Sequence, residues 1–324
     1  MKNGESEVPI AAKERRRNPR ELALEREHEK ELLKQDLIES SKSEYRFPVV
    51  LVDKKDGKKR VVVDYRKLNE HMKKFEFPLP IVDDILDSLH GSIIFSSLDL
   101  LSGYWQIPLR EGDKEKTAFS IAGNLRQWKV LPQGLKSSPA IFSHLLDIVL
   151  SGLKWHFVLV YIDDVIIFSK SFNEHLDHLD KIFKRLSKAN LMLSLKKCQF
   201  AFIKLKYLGH VAGKNGLEPD PDKVKAITEF PQPRTIRNVR EFLGMVGYYR
   251  RFIKEFSKIA KPMLNLLKQD GYRRPIVERW DDECARCFEE LKEQMRRAPI
   301  LAFPDFRRPF TLTGAGWENW WSWG

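Results

Sequence analysis

Three acids in this 324-residue chain are placed where a divalent cation could be held. Asp99 follows the run FSSL, and Asp163-Asp164 lies within FVLVYIDDVIIFS, so each acid stands at a strand end or in a tight turn with apolar sequence around it. Phosphoryl transfer asks for this arrangement. Two cations about 3.5–4 Å apart activate the attacking oxygen and hold the leaving group, and Mg²⁺ prefers carboxylate oxygens, with water and substrate phosphates filling its remaining positions. Taken alone, an Asp-Asp pair reads as a polar hairpin turn. The two flanking apolar runs, the second strand-end acid and a basic chain bring the two readings level. The basic excess is 57 Lys and Arg against 45 Asp and Glu, a net charge of +12, which favours a polyanionic partner. It is concentrated in residues 151–250, which hold 17 basic and 10 acidic side chains, whereas residues 1–44 hold 10 and 11.

The elements that must position these acids are legible as patterns. Phe47–Val52 and Val61–Val63 are β-rich runs joined through Asp56-Gly57, a strong hairpin signal with a lysine-rich tip. Ile93–Leu98 reads as a buried strand ending at Asp99. Phe157–Tyr161 and Val165–Phe168 read as strands flanking Asp163-Asp164. Ser138, as N-cap, with Pro139 opens a helix to about Leu150. Leu176, Leu179, Ile182, Phe183 and Leu186 mark an amphipathic helix.

Residues 20–39 predict a charged surface helix with a sparse stripe of Leu22, Leu32, Leu33 and Leu37, and Arg15–Arg17 reads as a solvated charge run. Pro219, Pro221, Pro231 and Pro233 suggest a connector, and Asn238 with Glu241 suggests a capping box. That box would open a helical stretch with Val239, Phe242, Leu243, Val246, Phe252, Ile253 and Phe256 on its apolar side. A further helix is expected over Asp282–Arg297, and a short strand near Phe310–Thr313.

With 42% hydrophobic and 31% charged residues the chain is of ordinary globular composition, so collagen-like and wholly disordered classes are excluded. No apolar run is long enough for a membrane span and no secretory signal is visible. Three cysteines suit a reducing compartment. Cys284 and Cys287 have no second Cys/His pair nearby and read as an ordinary pair on one helix face.

Eight segments appear in a characteristic order: FPVVLVDKKDGKKRVVVDYRKLN, SSLDLLSGYWQIPL, KTAFS, LPQGLKSSPAIF, YIDDVIIFS, KKCQF, KYLGHV and REFLGMVGYYRRFI. Over Arg20 to Leu312 the chain thereby resembles the reverse transcriptases of retroviruses and long-terminal-repeat retrotransposons, most closely the Gypsy (Ty3-like) group. The resemblance implies an α+β right-hand polymerase. Its divisions would be a charged helical arm (1–44), fingers and palm (45–213), thumb (214–270), an incomplete ribonuclease-H-like connection (271–313) and a Trp-rich tail outside the family pattern (314–324).

It implies two Mg²⁺ ions, or Mn²⁺, held by Asp99 and Asp163, with Asp164 as the third acid. Tyr104 matches the aromatic that excludes a 2′-hydroxyl, and Leu100, Gln133 and Gly134 fall in the nucleotide-binding segments. Many Gypsy elements have Phe where Gln133 stands, so the retroviral form is followed there. Arg60 matches the arginine that lies along the triphosphate. Lys54 is the candidate second cation, with Lys55 and Lys58 as alternatives or simply a solvated turn. Tyr161 and Ile162 would flank the primer end, Leu208-Gly209-His210 would hold it, and Lys197 could protonate leaving pyrophosphate. Arg240, Arg250, Arg251 and Lys254 could follow a duplex backbone.

The implied partners are an RNA or DNA template with its primer and deoxynucleoside triphosphates, in a cytoplasmic particle or the nucleus, without a membrane. The family expects an acid soon after the Phe-Thr-Leu strand. Here Thr313-Gly314-Ala315-Gly316 follows instead, so ribonuclease H activity is expected to be nil. Protease and integrase signatures are not seen. The last eight residues, with four of the eight tryptophans, look foreign to the family. The alternative is an inactive or co-opted remnant that still binds nucleic acid.

Overall fold

The computed structural model describes residues 9–13, 16–53, 59–73, 75–268 and 279–304. The chain runs α1 (Pro19–Lys34), β1 (Ile38–Ser40), β2 (Phe47–Asp53), β3 (Lys59–Val63), α2 (Arg66–His71), α3 (Val82–Asp87), β4 (Ile94–Leu98), α4 (Glu111–Lys114), β5 (Phe119–Ile121) and β6 (Asn124–Trp128). It continues through α5 (Ser138–Val149), β7 (Val158–Tyr161), β8 (Asp164–Ser169), α6 (Phe172–Lys188), β9 (Gln199–Phe202), β10 (Lys204–Tyr207), β11 (His210–Gly213) and β12 (Gly216–Pro219). Helices α7 (Pro221–Thr228), α8 (Ile236–Tyr248), α9 (Phe256–Lys268) and α10 (Asp282–Arg296) follow. The class is α+β with largely antiparallel sheets, as the sequence implies. Contacts divide it into two compact units, Met1–Val82 with Phe95–Phe202, and Asp83–Ile94 with Ile203–Gly324. No helix among the described residues is long and apolar enough to cross a membrane.

The first unit holds a five-stranded sheet of order β1-β6-β5-β2-β3 and a four-stranded sheet of order β7-β8-β4-β9. The anticipated β2–β3 hairpin forms in antiparallel register, Val49 opposite Val63 and Asp53 opposite Lys59. Its Asp-Gly tip lies outside the described residues. Phe47, Phe119 and Trp128 fill the core under the larger sheet, and Phe142, Leu146, Val158 and Ile167 fill the core under the smaller.

Several local expectations are corrected. The N-cap position of α5 is Ser137, not Ser138, and its side chain makes no capping bond; the Ser138 hydroxyl, in the first turn, donates to the Pro132 carbonyl (2.8 Å). On α6 the buried face comprises His175, Leu179, Ile182 and Leu186. Leu179, Ile182 and Leu186 are buried as the spacing predicts, whereas Leu176 and Phe183 are exposed and His175 takes the inward position at the first turn. Helix α1 does more than lie on the surface, since Glu25 and Glu29 are buried on it while Leu33 is exposed. Glu29 pairs with Arg126 (2.6 Å), and Glu25 accepts the amide of Ala122 (3.0 Å) in the β5–β6 turn. Arg17 binds Glu25 and is no solvated charge. Buried carboxylates survive there because each is ion-paired and hydrogen-bonded.

In the second unit β10, β11 and β12 form an antiparallel sheet. The proline-punctuated region contains β12 and α7 as well as connector, because Pro221 falls in the first turn of α7, where its missing N–H costs nothing. Thr235, not Asn238, caps α8: its side chain accepts the Asn238 amide (3.1 Å). Val239, Phe242, Leu243 and Val246 face inward as expected, with Phe242 against Phe288 of α10 at 4.6 Å between ring centroids. The apolar stretch is broken by a 3₁₀ turn at Arg250–Phe252 before α9 begins. The expected strand near Phe310–Thr313 and the Trp-rich tail lie outside the described residues.

Candidate active site

Two neighbouring strands of the smaller sheet deliver the acids. Strand β4 runs out at Leu98, so Asp99 emerges at its end. Its carbonyl accepts the Ser194 amide (2.8 Å), and its amide meets the Cys198 thiol (3.4 Å). Strands β7 and β8 pair with Tyr161 opposite Asp164, leaving Ile162-Asp163 as a two-residue turn. Ile162 adopts φ 59°, a left-handed conformation that costs a β-branched residue about 1–3 kcal/mol and persists only where the surroundings impose it. The hairpin therefore stores strain beside the acids.

Asp99, Asp163 and Asp164 line one polar cavity of about 290 Å³, joined there by Arg60, Leu100, Tyr104, Gln133 and Lys197. Lys197 Nζ lies 3.4 Å from Asp99 Oδ1. Partial withdrawal from water raises the Asp164 pKa, and the charges of Asp163 and Asp99 raise it further. The three carboxylates thus feel one another, the condition under which a cation is attracted. Hard oxygen donors open to water suit Mg²⁺, which keeps several waters and substrate oxygens in its shell. Among the described residues no three His, Cys, Asp or Glu side chains stand close enough together to hold a metal ion by themselves, so water and substrate oxygens would have to complete any shell at these acids.

Tyr104 belongs to a 3₁₀ turn, Gly103–Gln106. Its ring meets Phe142 edge-on at 5.4 Å, and burial, then the Asp163 charge, raises its pKa and keeps the phenol neutral. Gly103 is required there: a Cβ would stand 2.6 Å from the Phe142 ring. Gln106, which the sequence reading passed over, holds this turn against the segment before Lys197. Its amide nitrogen donates to Leu101 O (2.7 Å), and its amide oxygen accepts the Met192 amide (2.7 Å). Gly134 does not line the cavity. It takes φ 97°, and its carbonyl accepts from Asn69 (2.8 Å), a second positioning residue the sequence did not single out. Lys54, Lys55 and Lys58 lie outside the described residues.

Residues 52–212 match the family described as "Reverse transcriptase (RNA-dependent DNA polymerase)". The chain is 41% identical over 288 residues to the retrovirus-related Pol polyprotein from transposon 297 of Drosophila melanogaster, covering 87% of this chain and 27% of that one. It is 40% identical over 297 residues to the polyprotein from transposon gypsy of the same organism, covering 88% and 29%. This chain belongs to the reverse transcriptase family. It spans less than a third of those relatives. Among solved structures, a foamy viral protease-reverse transcriptase in complex with double-stranded DNA superposes with a TM-score of 0.85 at 28% identity, covering 93% of this chain and 52% of that one. The same kind of protein in complex with an RNA/DNA hybrid gives 0.80 at 27%, covering 92% and 40%.

In the second unit, Leu208 and Gly209 are the two residues of the β10–β11 turn, both at positive φ, 44° and 69°. That backbone matches the twist of a tight hairpin. Gly adopts it freely, and Leu is held there by two phenols that the sequence reading missed. Tyr248 donates to Leu208 O (2.7 Å) and Tyr249 to Gly209 O (2.6 Å). His210 is buried against Tyr248, Tyr249 and Phe252, so it packs the hairpin rather than presenting its ring. Burial pushes the Tyr249 phenol well above its usual range. Tyr249→Phe is expected to cost about 1 kcal/mol, the worth of one such bond, read as a lowered urea midpoint at unchanged slope.

Arg251 is committed to Asp83 (3.1 Å) and Asp87 (3.2 Å), which weakens its case as a phosphate contact. Cys284 and Cys287 are buried on α10, and burial pushes their thiols up to about 12 and about 11. Both lie on the buried face of α10 and pack as core residues.

Proposed function

We propose that this chain is the polymerising part of a Gypsy-type retrotransposon polyprotein, adding deoxynucleotides to a primer 3′-hydroxyl on an RNA or DNA template. One observation carries the reading: three carboxylates, Arg60, Tyr104, Gln133 and Lys197 line a single polar cavity. Residues 45–213 would serve as fingers and palm and 214–270 as thumb. The neighbours bound to double-stranded DNA and to an RNA/DNA hybrid support a template-primer as partner.

Asp99 and Asp163 would hold two Mg²⁺ ions, with Asp164 beside them. Such ions, when bound, make the 3′-oxygen a better nucleophile and neutralise charge on the leaving pyrophosphate. The Arg60 fork would bind triphosphate oxygens pairwise. Tyr104 would lie beneath the sugar, and Gln133 would pack against the incoming nucleotide, with Gly134 supporting that segment from outside the cavity. Lys197, an ammonium beside Asp99, would donate the proton that departing pyrophosphate needs. Tyr161 and Ile162 would flank the primer terminus, and Leu208-Gly209-His210 would brace it. Incorporation of dTTP on poly(rA)/oligo(dT) with Mg²⁺ or Mn²⁺ tests the reading. A folded chain that binds this template-primer but never extends it would establish the inactive remnant instead.

A further inference from the structure

Behind the acids, inside the smaller sheet, lies a buried polar network that the catalytic reading does not use. His175, on the first turns of α6, is fully buried. Its Nε2 lies 2.6 Å from Ser96 Oγ and its Nδ1 lies 2.7 Å from Ser169 Oγ. Both serines are buried too. Ser96 is on β4, three residues before Asp99, and Ser169 ends β8, the strand that begins at Asp164. These strands are neighbours in the sheet, so a single imidazole bridges the two strands that carry the acids.

The network reaches further on both sides. The β4–β9 register is irregular between Phe95 and Ser97, and Ala201 of β9 takes φ 58°. The Ala201 N–H donates to Ser96 Oγ (2.9 Å), so the serine hydroxyl takes the bulged amide. On the other side Ser169 Oγ also meets His178 Nδ1 (2.8 Å), and the His178 ring stacks on Phe157 at 3.8 Å.

One proton arrangement serves the two serines and His175. Ala201 N–H donates to Ser96, the Ser96 hydroxyl donates to His175 Nε2, His175 Nδ1–H donates to Ser169, and the Ser169 hydroxyl donates to His178. This requires a neutral His175, and burial, with the neighbouring His178, does lower its pKa while Glu174 opposes. An apolar residue of equal volume would pack the core without any of these bonds. Fully satisfied buried polar networks fix one geometry where apolar packing tolerates several.

We propose that His175, through Ser96 and Ser169, is a positioning residue for polymerisation, setting the spacing of Asp99 against the Asp163-Asp164 hairpin. The proposal rests on the polymerase reading above. Loosening that spacing misplaces the acids while leaving the nucleotide and duplex contacts in place, so the loss belongs in kcat and in cation affinity, not in KM.

The test uses Ser96→Ala and Ser169→Ala, which each remove one hydroxyl, alongside His175→Leu and His175→Gln. The expected result for each serine variant is a fall of about tenfold in kcat with the KM for dTTP little changed, since sub-ångström misplacement is felt mainly in the reacting geometry. The Mn²⁺ concentration that half-saturates the DNA-free chain, followed by the electron paramagnetic resonance signal of the free ion, should rise as well. Gln retains a group able to reach one hydroxyl and should recover part of what Leu loses. If His175→Leu fails to fold, the serine variants still decide. Lowered thermal stability with kcat and Mn²⁺ binding unchanged would make the network a packing device and overturn the proposal. A wild-type chain that binds Mn²⁺ but extends no primer would sink the polymerase reading, and Mn²⁺ binding by the variants would still judge His175.

Discussion

Asp163→Asn is expected to abolish primer extension, lowering the rate at least about a thousandfold, while leaving affinity for template-primer within about threefold. Asp163 is exposed in the β7–β8 turn, a position where Asn is as comfortable as Asp. Among the described residues its side chain makes no hydrogen bond, so folding has little to lose. What disappears is one negative charge of the three that face the cavity. Asn retains an oxygen of the right size but not the charge that a hard divalent ion requires. Duplex affinity comes from basic groups that displace counterions, and removing an acid cannot weaken it through that route. Rapid-quench extension and fluorescence anisotropy on the same preparation separate the two effects. Retained extension would remove Asp163 from the chemistry.

Tyr104→Ala is expected to let ribonucleotides in, cutting the preference for deoxynucleotides by about a hundredfold, the scale on which a filled or vacated pocket discriminates. The expected effect is steric. The ring is held edge-on to Phe142, and Gly103 allows the turn to approach that phenylalanine more closely than any side chain could. A ring so braced cannot step aside for a 2′-hydroxyl, whereas Ala leaves open space. Tyr104→Phe keeps the ring and should keep the selectivity, because the excluded volume and not the phenol does the work. Competition between rUTP and dTTP on the same template measures both variants, and unchanged sugar preference in Tyr104→Ala would refute the assignment.

Tyr248 and Tyr249 show why part of the site escaped the sequence. Both lie within the segment REFLGMVGYYRRFI, yet their task is to donate to carbonyls about 40 positions earlier. Nothing in their neighbours announces such a bond. Gln106 and Asn69 were missed for the same reason, since each satisfies backbone groups of a distant segment. Leu176 and His175 make the complementary error. A leucine beside a histidine on an amphipathic helix reads as the buried one of the two, but two buried serines give the imidazole its hydrogen bonds inside the core, so His175 is inward while Leu179, Ile182 and Leu186 stay buried as the spacing predicts.

The amino-acid sequence by itself determined the family, the strand end at Asp99, the turn at Asp163-Asp164 and the class of fold. Alternation, turn chemistry and motif order depend on residues within a few positions of one another, and these interactions survive in any context that buries the same faces. Only the tertiary structure decided that Lys197 comes to rest on Asp99, 98 positions away, that Leu208 is held in a strained turn by two phenols, and that His175 ties the strands bearing the acids together. Those are contacts between segments distant along the chain. Their geometry is set by which polar groups must be satisfied once the core excludes water, a constraint that exists only after the chain has closed on itself.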